Sequence, residues 1–313
     1  MHSLLRIGTR GSQLALWQAR TVAARLESAG IDVELVIIKT SGDRLQSAPI
    51  SEVGTKRLFV KEIEDALLDN AIDVAVHSAK DMPAVLPDGL TIAATLPRED
   101  PRDAFVLPPA APGDVRAALA SLGRPASIGT SSVRRIAQLS SVFAGAAFAP
   151  IRGNVDTRLR KLDAGEYDAL VLAAAGLRRL GFGDRITAMI PPRQCVPAPG
   201  QGIIAVEVRA DDDPCRRALQ GVHDAAASTA LEAERRVVSA LGGGCQLPLG
   251  ALATINNAEL ELQAIVCSPD GRRIVRAQAS GPAADPLALG DRVAGQLSRD
   301  GAVEILDEVR RQG

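Results

Sequence analysis

Apolar residues follow two spacings in the first hundred positions. LLRIGT (4–9) is a short apolar run bounded by turn residues and predicts a strand. SQLALWQARTVAARLESAG then spaces apolar residues three and four apart and predicts a helix that stops at Gly30. VELVII (33–38) predicts a second strand, LFVKEIEDALLDN a helix and IDVAVHS a third strand. Between them SGDRLQSAPISEVGTKR (41–57) is polar and aperiodic, a long loop of the kind that is usually functional or mobile. Strands alternating with helices predict an α/β domain with a largely parallel sheet.

The rhythm restarts after about residue 100. ASIGTSSVRRIAQL, IRGNVDTRLRKLDAG and DALVLAAAGLRRLG each read as strand, turn and helix. PPRQCVPAPGQG (191–202) is rich in breakers and predicts a crossing, after which IIAVEV predicts a strand able to rejoin the first domain. Two α/β lobes joined by two crossings follow from this order. From about residue 224 the texture changes. TALEAERRVVSALG predicts a helix, three alternating stretches (GALATI, AELELQAIVCS, RRIVRAQAS) predict strands, and helical patterns close the chain. The expected domains are 1–98 with 200–220, then 99–199, then a small α+β domain over 221–313.

Composition narrows the class. With 46% hydrophobic and 23% charged residues the chain can bury real cores, and with 2% aromatics those cores must be built from Leu, Val, Ile and Ala. A net charge of −1 argues against a general nucleic-acid binder. Charge is uneven, however: residues 98–196 hold 14 Lys/Arg against 9 Asp/Glu, a local +5 that suits a small acidic ligand. Neither the four cysteines (Cys195, Cys215, Cys245, Cys267) nor the three histidines (His2, His77, His223) fall in metal-ligand spacing, so no metal site is expected. No secretory h-region or 18-residue apolar run is present, which predicts a cytoplasmic protein in which a disulfide at Cys245 is improbable.

Ligand sites in open α/β sheets lie at the carboxyl ends of the strands. Three marked segments are predicted there: Arg10-Gly11-Ser12, then Lys80-Asp81 in HSAKDMP, then Thr130, Ser131 and Ser132 in GTSSVRR. The last can be an ordinary helix cap or an anion site. Arg134, Arg135, Arg152, Arg158 and Arg179 follow or border strand ends of the basic module, and arginine suits bidentate carboxylate binding. GGGCQLPLG (242–250) presents Cys245 beside three glycines. On spacing alone that thiol can be a buried hydrophobe, a nucleophile or an anchor.

VHSAKDMP, REDPRDAF, GTSSVRR, RGNVDTRL, PAPGQG and GGGCQLPLG, in this order over roughly residues 4 to 267, resemble the porphobilinogen deaminase (hydroxymethylbilane synthase) family. The resemblance implies three domains, the first two like the lobes of periplasmic binding proteins. It implies head-to-tail condensation of four porphobilinogen molecules, with loss of ammonia, into a linear tetrapyrrole that passes to uroporphyrinogen-III synthase. The implied cofactor is a dipyrromethane joined by a thioether to Cys245, a thiolate being a good nucleophile toward the electron-poor azafulvene left by ammonia loss. Asp81 matches the catalytic aspartate, suited to stabilising developing positive charge and moving protons. Lys80, Thr130, Ser131, Ser132, Arg134 and Arg135 match cofactor contacts. Arg10, Ser12, Arg152, Arg158 and Arg179 match carboxylate-binding positions, Gln201 lies in the inter-domain segment, and Lys56 is retained in the loop. A monomer is implied.

The loop departs from the family pattern: EVGTKRLF stands where KVGGKGLF is common, so no basic role carries over to Glu52, and Arg57 replaces a glycine. Two other classes fit part of the pattern. A carboxylate receptor explains lobes and arginines but leaves GGGC and a third domain unexplained. A thiol acyltransferase would need His77 or His223 as a base.

Overall fold

The computed structural model describes residues 4–40, 60–109, 111, 113–242 and 247–312. Its first sheet takes the order β2-β1-β3-β10-β4, from β1 (Leu5–Thr9), β2 (Val33–Ile37), β3 (Val74–Ser78), β4 (Leu90–Thr95) and β10 (Ile204–Arg209). β1 runs parallel to β2 and β3, and only β10 is reversed, pairing antiparallel with both β3 and β4. IIAVEV therefore returns to the first sheet. The helices α1 (Gln13–Ser28) and α2 (Lys61–Leu68) cover it. Apolar side chains of α1 (Ala19, Val22, Leu26) close over Ile7, Val74, Val76 and Val206 in one dry cluster.

The second sheet repeats this plan with the order β7-β6-β8-β5-β9. Its parallel core is β6 (Ser127–Gly129), β7 (Ala147–Ala149) and β8 (Ala169–Ala173), and the reversed strand is β5 (Asp103–Val106), flanked by β9 (Ala188–Met189). The helices α3 (Val115–Ala120), α4 (Val133–Leu139), α5 (Val155–Asp163) and α6 (Ala174–Arg179) pack on it. Apolar spacing did not mark β4, β5, β7 or β9; the last three hold only two to four residues, too short to show a period, and the strand expected at the start of IRGNVDTRL lies instead at Ala147–Ala149. A short helix α7 (Asp213–Ala218) leads on to the long α8 (Ala225–Ala240). An antiparallel sheet of β11 (Leu249–Asn256), β12 (Glu259–Cys267) and β13 (Ile274–Pro282) then packs with α8, α9 (Pro286–Arg299) and α10 (Ala302–Gln312) around its own core of Leu, Val and Ala.

The two crossings run side by side: Leu96 N–H donates to Ile204 O and Glu99 N–H to Gly202 O, both at 3.0 Å. Gly202 has φ +89°, and a Cβ there would collide with the Glu99 carbonyl, so the close approach requires glycine. One carboxylate ties both crossings to the C-terminal unit. Glu234 on α8 accepts from Arg98 Nη1 (2.5 Å), Gly200 N (2.6 Å) and Ala253 N (2.7 Å). Gly250 fits so tightly under the second crossing that a Cβ would lie 2.7 Å from Val196 O.

Candidate active site

Parallel strands end on the same side, so the loops that follow them are gathered there. β1 delivers Arg10 and Ser12, and the Ser12 hydroxyl caps α1 by accepting from Ala15 N–H at 3.3 Å. β3 ends in a single tight turn, Ala79–Asp81, that presents Lys80 and Asp81. In the second sheet β6 delivers Thr130 to Ser132, β7 leads to Arg152 and Arg158, and β8 runs directly into the helix that carries Arg179. The carboxyl-end prediction thus describes where each of these residues stands.

Asp81 is exposed and lines a small cleft with Arg10, Ser12, Gln18, His77 and Ser78. Beside it, burial pushes the Lys80 ammonium down to about 8. Asp81 opposes the shift, Arg135 and Arg134 reinforce it, and Asp103 opposes it, although the Lys80 side chain keeps part of its surface open. Burial likewise pushes the Arg158 guanidinium down to about 10, with Arg135 repelling and Asp81 attracting. Charges from both lobes therefore act on one region: Asp81 and Lys80 from the first, Arg134, Arg135 and Arg158 from the second.

Arg134 and Arg135 are buried around a residue that sequence reasoning did not single out, Asp103 at the start of β5. Asp103 accepts from Arg134 Nη1 (2.8 Å), from Arg135 Nε (3.0 Å) and Nη2 (2.8 Å), and from Gln201 Nε2 (2.9 Å). Burial alone would raise the Asp103 carboxyl, but the two guanidiniums and the Gln201 amide hold it well below the usual range. Burial alone would lower Arg134, and Asp103 with the Cys195 sulfur reverses that, so its guanidinium is raised.

The GTSS turn is largely satisfied internally. Ser131 Oγ donates to Ile151 O and accepts from Ile151 N–H, and Ser132 Oγ caps α4 by accepting from Arg135 N–H. Buried Thr130 accepts from Ser132 N–H. Gln201 is buried too, its amide nitrogen shared between Pro101 O and Asp103. Arg158 Nε donates to Gly153 O. Arg179 reaches Gly202 O at 2.6 Å, and its guanidinium stands 5.7 Å from the ring centre of Trp17, while burial pushes it down to about 10 against the pull of Glu99. Arg10 and Arg152 are half-buried, and each has an interaction partner.

Cys195, Cys215 and Cys267 are buried free thiols, each pushed up to about 12 by burial. They suit the role of small hydrophobes. Cys245, together with Lys56, Glu52, Arg57 and the whole 41–57 loop, lies outside the described residues. The flanks of GGGCQLPLG are held, however: Arg310 Nη2 donates to Leu241 O and Gly242 O, and Ala251 N–H donates to Pro197 O.

Asp103 and Glu234 had faint signals in the sequence. Asp103 opens a wholly apolar run, AFVL, and Glu234 stands in helical step with Leu231 and Val238, on the buried side of α8. Acidic residues on buried faces are rarely unpaired.

Two α/β lobes that share two crossings, carry a third unit and gather cations near one aspartate define a two-lobed α/β protein with a charged cleft. Within that class the chain belongs to the porphobilinogen deaminase family, whose members are hydroxymethylbilane synthases, transferases of tetrapyrrole biosynthesis. Residues 5–217 match the family profile described as "Porphobilinogen deaminase, dipyromethane cofactor binding domain", and residues 228–299 match that of the "Porphobilinogen deaminase, C-terminal domain". The porphobilinogen deaminase of Acidithiobacillus ferrooxidans is 49% identical over 311 residues, 99% of each chain. That of Moorella thermoacetica is 46% identical over 98% of this chain and 97% of its own, and that of Syntrophobacter fumaroxidans 44% over 98% of both. Among solved structures, the periplasmic VFT2 domain of Bordetella pertussis BvgS superposes at a TM-score of 0.40 with 17% identity, over 71% of this chain and 87% of its own.

Proposed function

We propose that the chain condenses four porphobilinogen molecules stepwise into hydroxymethylbilane on a dipyrromethane joined by a thioether to Cys245. The observation that carries this reading is the convergence of Lys80, Arg134, Arg135 and Arg158 on the neighbourhood of Asp81. A dipyrromethane consists of two pyrroles, each bearing an acetate and a propionate, and a cluster of cations with Asp103 as its internal anion fits such a ligand. When bound, the dipyrromethane supplies the pyrrole carbon to which the first substrate is joined.

The chain's own residues then hold and protonate. Lys80, Arg134 and Arg135 neutralise carboxylates of the bound primer, with Thr130, Ser131 and Ser132 shaping the turn beneath it. Arg10, Ser12, Arg152, Arg158 and Arg179 orient the side chains of the incoming substrate, and Lys56 reaches it from the loop. Gln201 steadies the crossing. Asp81, open to the cleft, stabilises the positive charge that grows as ammonia departs and accepts the proton released when the new bond forms. Inertness of the three buried cysteines supports Cys245 as the anchor. Of the histidines an acyltransferase would need, buried His77 has its Nε2 3.1 Å from Glu207, and His223 Nδ1 accepts from Thr95 N–H.

We take the domains as 1–98 with 200–220, 99–199 and 221–313, because β10 is hydrogen-bonded into the first sheet. Among the described residues no helix is long and apolar enough to cross a membrane. A monomeric cytoplasmic enzyme whose product is handed to uroporphyrinogen-III synthase completes the reading.

Intact mass tests it. Protein from a cell that makes porphobilinogen should be heavier than its sequence by two pyrrole units, stable to reductant and hydroxylamine, with the added mass on the Cys245 peptide. Cys245→Ser should lose both the mass and nearly all activity. An unmodified Cys245 in active enzyme would overturn the anchor.

A further inference from the structure

Arg134 and Arg135 are consecutive residues of a helix, so their side chains leave it about 100° apart. Aiming both at one ligand needs something between them. Asp103 occupies that place with no exposed surface, binding Arg134 through Oδ2 and Arg135 through Oδ1. The remaining contacts anchor the outer edges: Arg134 Nη1 also donates to Val196 O, and Arg135 Nη1 to Val171 O. Nε and Nη2 of Arg134 bond no described residue and remain for a ligand carboxylate. Gln201 Nε2 joins the same Asp103 oxygen as Arg135, which links the pair to the second crossing.

We propose that Asp103 is a positioning residue of the reaction: it fixes both guanidinium planes for the pyrrole carboxylates and sets the charge of the cradle. Lys80, Arg134 and Arg135 carry three positive charges within reach of each other, and Asp103 is the anion that lets them stand together before a ligand arrives. Its removal leaves the guanidiniums free to swing toward solvent and splays the site. The proposal rests on the carboxylate-cradle reading of Arg134 and Arg135, and the experiment separates the two.

Full-length Asp103→Asn, Asp103→Glu, Arg134→Leu and Arg135→Leu variants should be produced in cells that make porphobilinogen. Each is assayed for intact mass, thermal unfolding, and KM and kcat normalised to the pyrrole-bearing fraction. Asp103→Glu keeps the charge but moves it by one methylene, so it should fold, load partially and show KM raised at least about tenfold, since ångström-scale misplacement is costly. Asp103→Asn should load less than Asp103→Glu. A purely structural Asp103 would lower the melting temperature and the loaded fraction while the loaded molecules keep the parent KM, and that result overturns the proposal. Should both arginine variants load fully with parent KM, the cradle itself fails. Should they fail to load while both Asp103 variants behave as the parent, the cradle stands and the positioning role falls. If Asp103→Asn does not fold, the loaded fraction and KM of Asp103→Glu decide alone.

Discussion

Arg98 and Glu234 meet where the two crossings touch the C-terminal unit, with Nη1 and Oε1 2.5 Å apart and the Glu234 side chain wholly buried. The carboxylate also receives the Gly200 and Ala253 amides. One side chain therefore closes the junction between the paired lobes and the domain that carries the GGGC segment.

Glu234→Ala should cost about 3–5 kcal/mol, because it strands a largely buried guanidinium and two amide donors. Urea unfolding monitored by circular dichroism measures it. A loss below about 1 kcal/mol would show that water replaces the carboxylate.

Asp81→Asn should reduce turnover by at least about 10²-fold while leaving the melting temperature close to the parent value, since the side chain is exposed and the change removes only its charge. Holoprotein mass and kcat on the same preparation test both halves. Near-normal turnover would rule out the assignment.

Asp103 has a folded-state pKa held below its unfolded value, so the stability it confers is present above about pH 4 and is lost as pH falls through the folded value. Melting temperatures of the parent and of Arg134→Leu, taken from about pH 3 to 7, should differ most above about pH 5 and converge toward acid. The family resemblance assigns Arg134 and Arg135 to cofactor contacts. Their pairing with a buried carboxylate predicts a stability loss as well, of about 3–5 kcal/mol. A gap that widens from pH 5 toward pH 3 would contradict the sign of this linkage.

Lys80 is held near 8, so the ligand-free protein loses this cation as pH rises through that value. Protein made without porphobilinogen should acquire its two pyrrole units more slowly above about pH 8, and Lys80→Arg should flatten that alkaline limb because guanidinium stays charged. Loading followed by mass against pH decides. For stability the slope has the same sign as in the acid case: Lys80 binds fewer protons folded than unfolded between about 8 and 10.4, so the cost of burying it falls as pH rises through that window.

Much of this protein was legible in its order of residues. Helical spacing in α1 and α8, and the compact apolar runs of β1, β3 and β8, reflect burial along single elements, which a local period records. The carboxyl-end rule placed Arg10, Lys80, Asp81 and Arg158, because parallel strands bring their following loops to one edge. The return of IIAVEV to the first sheet was readable from the breakers that precede it. What neighbours those residues was decided only in three dimensions. Asp103 lies 31 and 32 positions from its arginines, and Glu234 lies 136 positions from Arg98. The first pair meets because strand pairing folds the second lobe on itself, the second because the crossings reach the C-terminal unit, and no local spacing encodes either meeting. The same holds for charge: Lys80 and Asp81 are neighbours in sequence, yet the lowered Lys80 pKa comes from burial and from arginines on the other lobe.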